Sequence, residues 1–376
     1  MPSLMQTAQR GFAMQKAVVL EGTGKINIRE IDCPEEVGAR DIRIDLKRVG
    51  ICGSDVHYYT HGAIGHFVVN EPMVLGHEAS GIISEVGDAV KEFKVGDRVC
   101  MEPGIPEAGS RPSRMGMYNL CPSLTGYHPN MSKVQAGFWA TPPVHGVMRP
   151  SVVHPADFTF KVPDNVSLDE AAMAEPVAIG MHAATKAQIR PGATCVVQGA
   201  GTIGCVTAMS ALASGAGRVF VSDISPAKLD IVAAQGNGNI IPINVSKENL
   251  AKRVYEETQG WGTDYFFEAT GNEKACSGIF DCIAPGGTVI LIGHPGGPIH
   301  LDVVPGQVKE VQIKTIFRYA HVFPAVLALM GKGTIDVKPL ISNHFEFKDA
   351  VQAFDFSVKN SADCFSSCVK NMLIMD

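Results

Sequence analysis

At 376 residues, 45% apolar and 19% charged, the chain has the size and balance of a globular protein with two cores. A formal charge of −6 without a clustered basic face excludes nucleic acid as the main partner. The longest uncharged run, Pro191 to Gly217, is cut by seven glycines or prolines, so it reads as strand, turn and buried helix and not as a membrane span.

The opening stretch MPSLMQTAQRGFAMQ lacks an apolar export core, and residues 1–14 read as a short disordered extension. Ten cysteines without an export signal are expected as reduced thiols in the cytoplasm. Alternation in Lys16–Leu20 and Lys25–Arg29 predicts antiparallel strands, continued by Asp41–Leu46 and, after the Gly96-Asp97 turn, by Arg98–Met101. Residues 103–150, rich in Pro, Gly and Ser, read as a long irregular lobe.

From about Leu168 strands and helices alternate. Strands are expected at Thr194–Gln198, Arg218–Ser222, Asp264–Glu268 and Thr288–Ile292, and helices at Thr202–Ala213, Pro226–Gln235, Ser246–Thr258 and Glu273–Ile283. Such alternation predicts a parallel sheet covered on both faces. After Phe317 the helix Phe323–Gly331 and later short strands rejoin the first domain. The expected class is therefore α/β: a discontinuous β-rich domain (15–177 and 317–376) and a doubly wound parallel-sheet domain (178–316).

Directly after the strand ending at Gln198 comes Gly199-Ala200-Gly201-Thr202-Ile203-Gly204, a GxGxxG pattern opening a helix. Gly199 permits the turn, Gly201 lets backbone approach a pyrophosphate, and Gly204 lets helix and strand pack closely. Asp223 ends the next strand, nineteen residues past Gly204. An acid there accepts hydrogen bonds from both ribose hydroxyls and repels a 2′-phosphate, so NAD is expected over NADP. The other role open to Asp223 is capping the helix that begins at Pro226.

Upstream, Gly76-His77-Glu78 offers an imidazole and a carboxylate side by side, Gly50-Ile51-Cys52-Gly53-Ser54-Asp55 presents one thiol between glycines, and Glu175 interrupts an apolar run. Cys52, His77 and Glu78 form a zinc-type donor set. Beside a dinucleotide site, that set predicts hydride transfer between an alcohol carbon and nicotinamide, the metal favouring the deprotonated oxygen. Asp55 is the candidate partner that fixes His77, and Ser54 with His57 the candidate path for the released proton; His57 reads equally as a packing histidine. His61, His66, His128, His145 and His154 read as ordinary surface or loop histidines.

These motifs, in this order from about residue 15, resemble the zinc-containing medium-chain dehydrogenase/reductase superfamily, with a GroES-like catalytic domain and a Rossmann domain. GHEASGIISEVGDAV carries its zinc signature, while GICGSDVHYY, EPMVLGHEASG, MYNL, WATPP, EPVAIGMHA and IFRYAHVFP resemble the polyol branch, the sorbitol and xylitol dehydrogenases. The resemblance implies one catalytic zinc on Cys52, His77 and Glu78, with Glu175 hydrogen-bonding its water or joining its shell. It implies that Tyr58, Arg318 and Tyr319 line a polyol pocket, and that Ile203, Asp223, Lys228, Ile292, Gly293, His294, Ile316 and Phe317 contact the dinucleotide. Relatives with a structural zinc hold it on four cysteines; Glu107, Ser110, Ser113 and Cys121 stand at those places, so no structural zinc is expected. Cys364 and Cys368 are expected as free thiols.

The function expected is NAD-dependent oxidation of a secondary hydroxyl of xylitol or sorbitol to the ketose. The alternatives are a zinc dehydrogenase of another secondary alcohol or an amino alcohol, and, in a different class, an inactive dinucleotide-binding protein. Relatives are commonly homotetramers, and the strand Thr288–Ile292 is the expected sheet edge for subunit pairing.

Overall fold

The protein is described by a computed structural model covering residues 14–33, 35–64, 67–122, 124, 139–140, 144–363 and 366–375. Most of the expected N-terminal extension, with His66, His128, Cys364 and part of the WATPP segment, lies outside the described residues. Met14, assigned to that extension, instead begins the first strand, paired with Asp32.

Two sheet systems carry the site. In the first, the path runs Thr159–Lys161, Arg98–Met101, Glu78–Val86, Asp41–Ile51, Lys370–Ile374 and Ile341–Glu346, with Ser151–Pro155 also pairing Asp41–Ile51. The C-terminal strand thus sits beside strand Asp41–Ile51, Asn371 opposite Ile51 and Met372 opposite Gly50. The opposite flank of Asp41–Ile51 holds Glu78–Val86, Gly50 facing Glu78.

The second system is a six-stranded sheet in the order Ile240–Asn244, Arg218–Asp223, Thr194–Gln198, Thr263–Glu268, Ile283–Leu291 and Gln312–Thr315. Every pairing in it is parallel. Numbered along the chain, that order is 3-2-1-4-5-6, the doubly wound arrangement that opens a crevice where strand order reverses. Helices Ala174–Ala187 and Thr202–Ala213 pack together over it. Gly180 makes this approach possible, since a Cβ there would lie 2.8 Å from the backbone of Val206.

Three local expectations change. The helix predicted over Glu273–Ile283 stops at Cys276. Past Gly278 the run Ile279, Phe280, Cys282 and Ile283 is buried, and its last residue already starts a strand. The helix expected from Ser246 begins at Leu250, because Asn249 caps it through the N–H of Lys252 at 2.9 Å. The segment Thr288–Ile292 falls within and just beyond a longer strand, Ile283–Leu291, that lies between two neighbours, so it is no sheet edge; the edges are Ile240–Asn244 and Gln312–Thr315. No described helix is long and apolar enough to cross a membrane.

Candidate active site

Cys52 caps the helix Gly53–His61, which carries Ser54, Asp55, His57 and Tyr58. The carboxylate of Asp55 knits the surrounding loops together: Oδ2 accepts the N–H of Cys52 at 3.1 Å and Oδ1 the N–H of Gly76 at 3.1 Å. The same Oδ1 lies 3.6 Å from Nδ1 of His77. With Nδ1 turned to Asp55, Nε2 is the nitrogen left for a metal. Burial disfavours the imidazolium of His77, but Asp55 and Cys52 hold its pKa well above the usual value.

One donor atom each from Cys52, His77 and Glu78 lies within 4.8 Å of the others. Thiolate, imidazole and carboxylate at that spacing suit a tetrahedral zinc centre with one position open, so the residues fit the ion. Glu175, at the start of helix Ala174–Ala187, stands outside this group of three; its Oε1 accepts the hydroxyl of Tyr319 at 2.7 Å. Burial pushes the Glu175 carboxyl up, against the field of His77.

Cys52, His77 and Glu175 open into a cavity of about 390 Å³ that Ser54, His57, Tyr58 and Arg318 also line. The Oγ of Ser54 is buried without a hydrogen-bond partner. His57 stacks on His61, ring centroids 4.4 Å apart, and burial with the neighbouring His61 lowers its pKa. Burial raises the phenol of Tyr58 and lowers the guanidinium of Arg318. Nη1 of Arg318 is buried with no hydrogen-bond partner, and the absent side chain of Gly104 leaves it room. Tyr319 does not line this cavity; it stands behind Glu175 as its hydrogen-bond donor.

Ile203, Ile292, Gly293, His294, Ile316 and Phe317 form the cavity's other wall. They belong to the parallel-sheet domain and its junction, on the side where the doubly wound strand order opens its crevice. Gly199 has a φ of +102°, Gly201 caps the helix Thr202–Ala213, and a Cβ at Gly204 would collide with the carbonyl oxygen of Gly199. Nothing stands within 4 Å of where a Gly201 side chain would be, which leaves the backbone open to a pyrophosphate.

Asp223 and Lys228 lie outside the cavity. Asp223 accepts the N–H of Ala200 at 2.6 Å and of Ser225 at 2.8 Å, so it shapes the glycine loop. Ser225, not Asp223, caps the helix that contains Lys228.

One of these sequence readings needs correction. His154 is not a surface residue; it is fully buried, its Nε2 3.1 Å from the carbonyl of Glu102. His145 is partly covered and accepts the N–H of Val74 at 3.3 Å. At the place of the structural zinc, the hydroxyls of Ser110 and Ser113 bond each other at 2.8 Å, and Ser113 donates to the carbonyl of Glu107. Cys368 is half-buried, its Sγ 3.2 Å from Oδ1 of Asn371. Sequence reasoning missed Lys370, whose Nζ is 2.6 Å from Oε2 of Glu78, and Phe67, which lines the cavity with its ring stacked 6.5 Å from that of Phe317. Lys370 carries no motif that would have revealed it.

A metal-type donor set and a dinucleotide crevice opening on one cavity define a two-domain dehydrogenase. Residues 38–164 match the alcohol dehydrogenase GroES-like domain, and residues 202–332 the zinc-binding dehydrogenase family. The D-xylulose reductase of Morganella morganii is 50% identical over 91% of this chain and 97% of its own. The sorbitol dehydrogenase of Arabidopsis thaliana is 39% identical over 92% of each. Among solved structures, an Escherichia coli oxidoreductase/dehydrogenase of unknown specificity superposes with a TM-score of 0.85 at 32% identity, over 96% of this chain and 99% of that one. The chain belongs to the zinc-containing medium-chain dehydrogenase/reductase superfamily, in its polyol dehydrogenase branch.

Proposed function

We propose that this chain is a zinc- and NAD-dependent polyol dehydrogenase, oxidising a secondary hydroxyl of xylitol or sorbitol to the ketose. What carries the reading is that Cys52 and His77, whose donor atoms lie close to that of Glu78, share one cavity with Arg318, whose buried Nη1 has no hydrogen-bond partner, and with the wall of Ile203, Ile292, Ile316 and Phe317. Greater identity to a D-xylulose reductase than to a sorbitol dehydrogenase favours the five-carbon polyol.

Cys52, His77 and Glu78 would hold the ion, and Asp55 keeps the imidazole in register. Bound zinc would supply Lewis acidity and bound NAD a hydride acceptor. The Ser54 hydroxyl takes the substrate proton and hands it to His57, whose lowered pKa keeps its ring neutral and able to accept. Arg318 and Tyr58 grip neighbouring hydroxyls, a distinction a monohydric alcohol cannot exploit, and Glu175 accepts from one more. Ile203, Ile292, Ile316 and Phe317 flank the nicotinamide and exclude water, with Gly293 and His294 beside them. Gly199, Gly201 and Gly204 cradle the pyrophosphate, while Asp223 and Lys228 take the adenosine ribose, and the negative charge of Asp223 favours NAD over NADP.

The division we favour is 15–177 with 317–376 for catalysis and 178–316 for the dinucleotide. Exposed Val303, Val304 and Val308, with Ile313 on the edge strand Gln312–Thr315, supply an apolar surface for a second copy in a cytoplasmic homotetramer. Light scattering that returned a monomer would exclude that assembly.

The test is purified protein with metal content determined, offered NAD or NADP with xylitol, sorbitol and propan-2-ol. One zinc per chain and NAD-linked oxidation of the polyols are expected. Activity confined to the monohydric alcohol, or full activity in Cys52→Ser, would defeat the reading.

A further inference from the structure

The last strand carries a lysine into the candidate metal centre. Nζ of Lys370 lies 2.7 Å from Oε1 and 2.6 Å from Oε2 of Glu78, and 3.2 Å from the carbonyl oxygen of Ile51, the residue before Cys52. Lysine and glutamate side chains are 2% and 1% exposed. Strand pairing dictates the contact: Asn371 sits opposite Ile51 on one flank of strand Asp41–Ile51, and Glu78 opposite Gly50 on the other. Gly50 is the gap through which they meet, because a Cβ there would overlap the Glu78 carboxylate. One residue earlier, the carbonyl of Val369 accepts the hydroxyl of Thr202 at 2.7 Å, which ties the strand's approach to the first turn of the dinucleotide helix.

A carboxylate offers about four lone-pair positions, and the ammonium occupies one on each oxygen. A position remains on each for a metal ion, but the negative charge behind it is already shared. We propose that Lys370 is a positioning residue that restrains Glu78 as a metal ligand, so that the centre holds its ion less tightly, and polarises substrate more, than a fully anionic carboxylate would allow. The inference rests on the reading of Cys52, His77 and Glu78 as zinc ligands.

The experiment is metal release to a chromogenic chelator from the zinc-loaded full chain, paired with the visible spectrum of the cobalt-loaded form. Lys370→Met keeps the side-chain length without charge and is expected to slow release at least tenfold and to move the cobalt bands; Lys370→Arg, which keeps a cation over the carboxylate, should stay within twofold of the unaltered protein. In a Glu78→Gln background the same Lys370→Met change should alter release less than twofold, because no charge remains to share. If Lys370→Met does not fold, the rates are read with Lys370→Gln, whose amide still bonds the carboxylate. Unchanged release and spectrum, or an equal slowing with and without Glu78→Gln, would overturn the proposal. A chain that binds neither zinc nor cobalt would overturn the metal reading itself, whereas one equivalent bound with inseparable rates would defeat only the role of Lys370.

Discussion

Tyr319 holds Glu175: its hydroxyl donates to Oε1 at 2.7 Å, and both side chains are buried. Burial favours the neutral acid, whereas a donor aimed at the carboxylate favours the ionised form. Tyr319→Phe therefore raises the Glu175 pKa further. The pH limb of kcat/KM that needs the carboxylate is expected to move to higher pH, with activity near neutrality falling about tenfold. A profile that overlays the unaltered protein would show that the pair only fills space.

Arg318 sits at a φ of +49° with Nη1 buried and without a partner, an arrangement that costs stability unless a ligand completes it. Arg318→Met should lower kcat/KM on xylitol by about 10- to 100-fold, the worth of a charge-assisted hydrogen bond. Turnover of propan-2-ol should change far less. Equal losses on both alcohols would place the residue in support of the fold.

Glu102 is 2% exposed and accepts the hydroxyl of Tyr118 at 3.0 Å. Burial pushes its pKa from 4.5 up to about 8, with Tyr118 opposing and the nearby Glu175 reinforcing the rise. Folded protein then binds a proton that the unfolded chain releases, so this contribution to stability is full below pH 4.5 and is lost as pH rises to about 8. Glu102→Gln should flatten that slope, which denaturant melts at several pH values would reveal. An unaltered slope would mean the carboxyl ionises freely.

Asp223 already bonds two backbone N–H groups, of Ala200 and Ser225. Asp223→Ser should weaken NAD about tenfold, narrow its advantage over NADP, and lower Tm by disturbing the glycine loop. Calorimetric titration with both dinucleotides separates the effects. A fall in Tm with the NAD to NADP ratio intact would assign the residue to the loop alone.

Much of this was legible where the signal is local. The strand Thr194–Gln198, its glycine loop and the helix Thr202–Ala213 lie within one short stretch, whose turn chemistry and periodicity announce them. Cys52, His77 and Glu78 were singled out by their donor types together with the signature GHEASGIISEVGDAV, and the fold brings one donor atom of each within 4.8 Å of the others. Lys370 was not, since 292 residues separate it from Glu78 and only sheet register joins them. Tyr319 was expected in the cavity because the resemblance carried it over with Arg318, but only Arg318 lines it, and Tyr319 turns to Glu175. Helix Glu273–Ile283 failed because a buried apolar run suits strand and helix equally, and Gly278 decided the matter. The edge strand Gln312–Thr315, mostly exposed, carried no hydrophobic pattern to read.

The pairing of strand Lys370–Ile374 with Arg48–Ile51 also governs the order of assembly. On the ribosome the parallel sheet, contiguous in sequence, has all its strands outside the tunnel before the catalytic sheet has received its final member. The thiol and imidazole must therefore wait, incompletely walled, until strand Lys370–Ile374 has emerged. Long-range closure of this kind makes slow maturation the expected step, and premature termination before Lys370 leaves a nucleotide-binding unit attached to an open, aggregation-prone sheet.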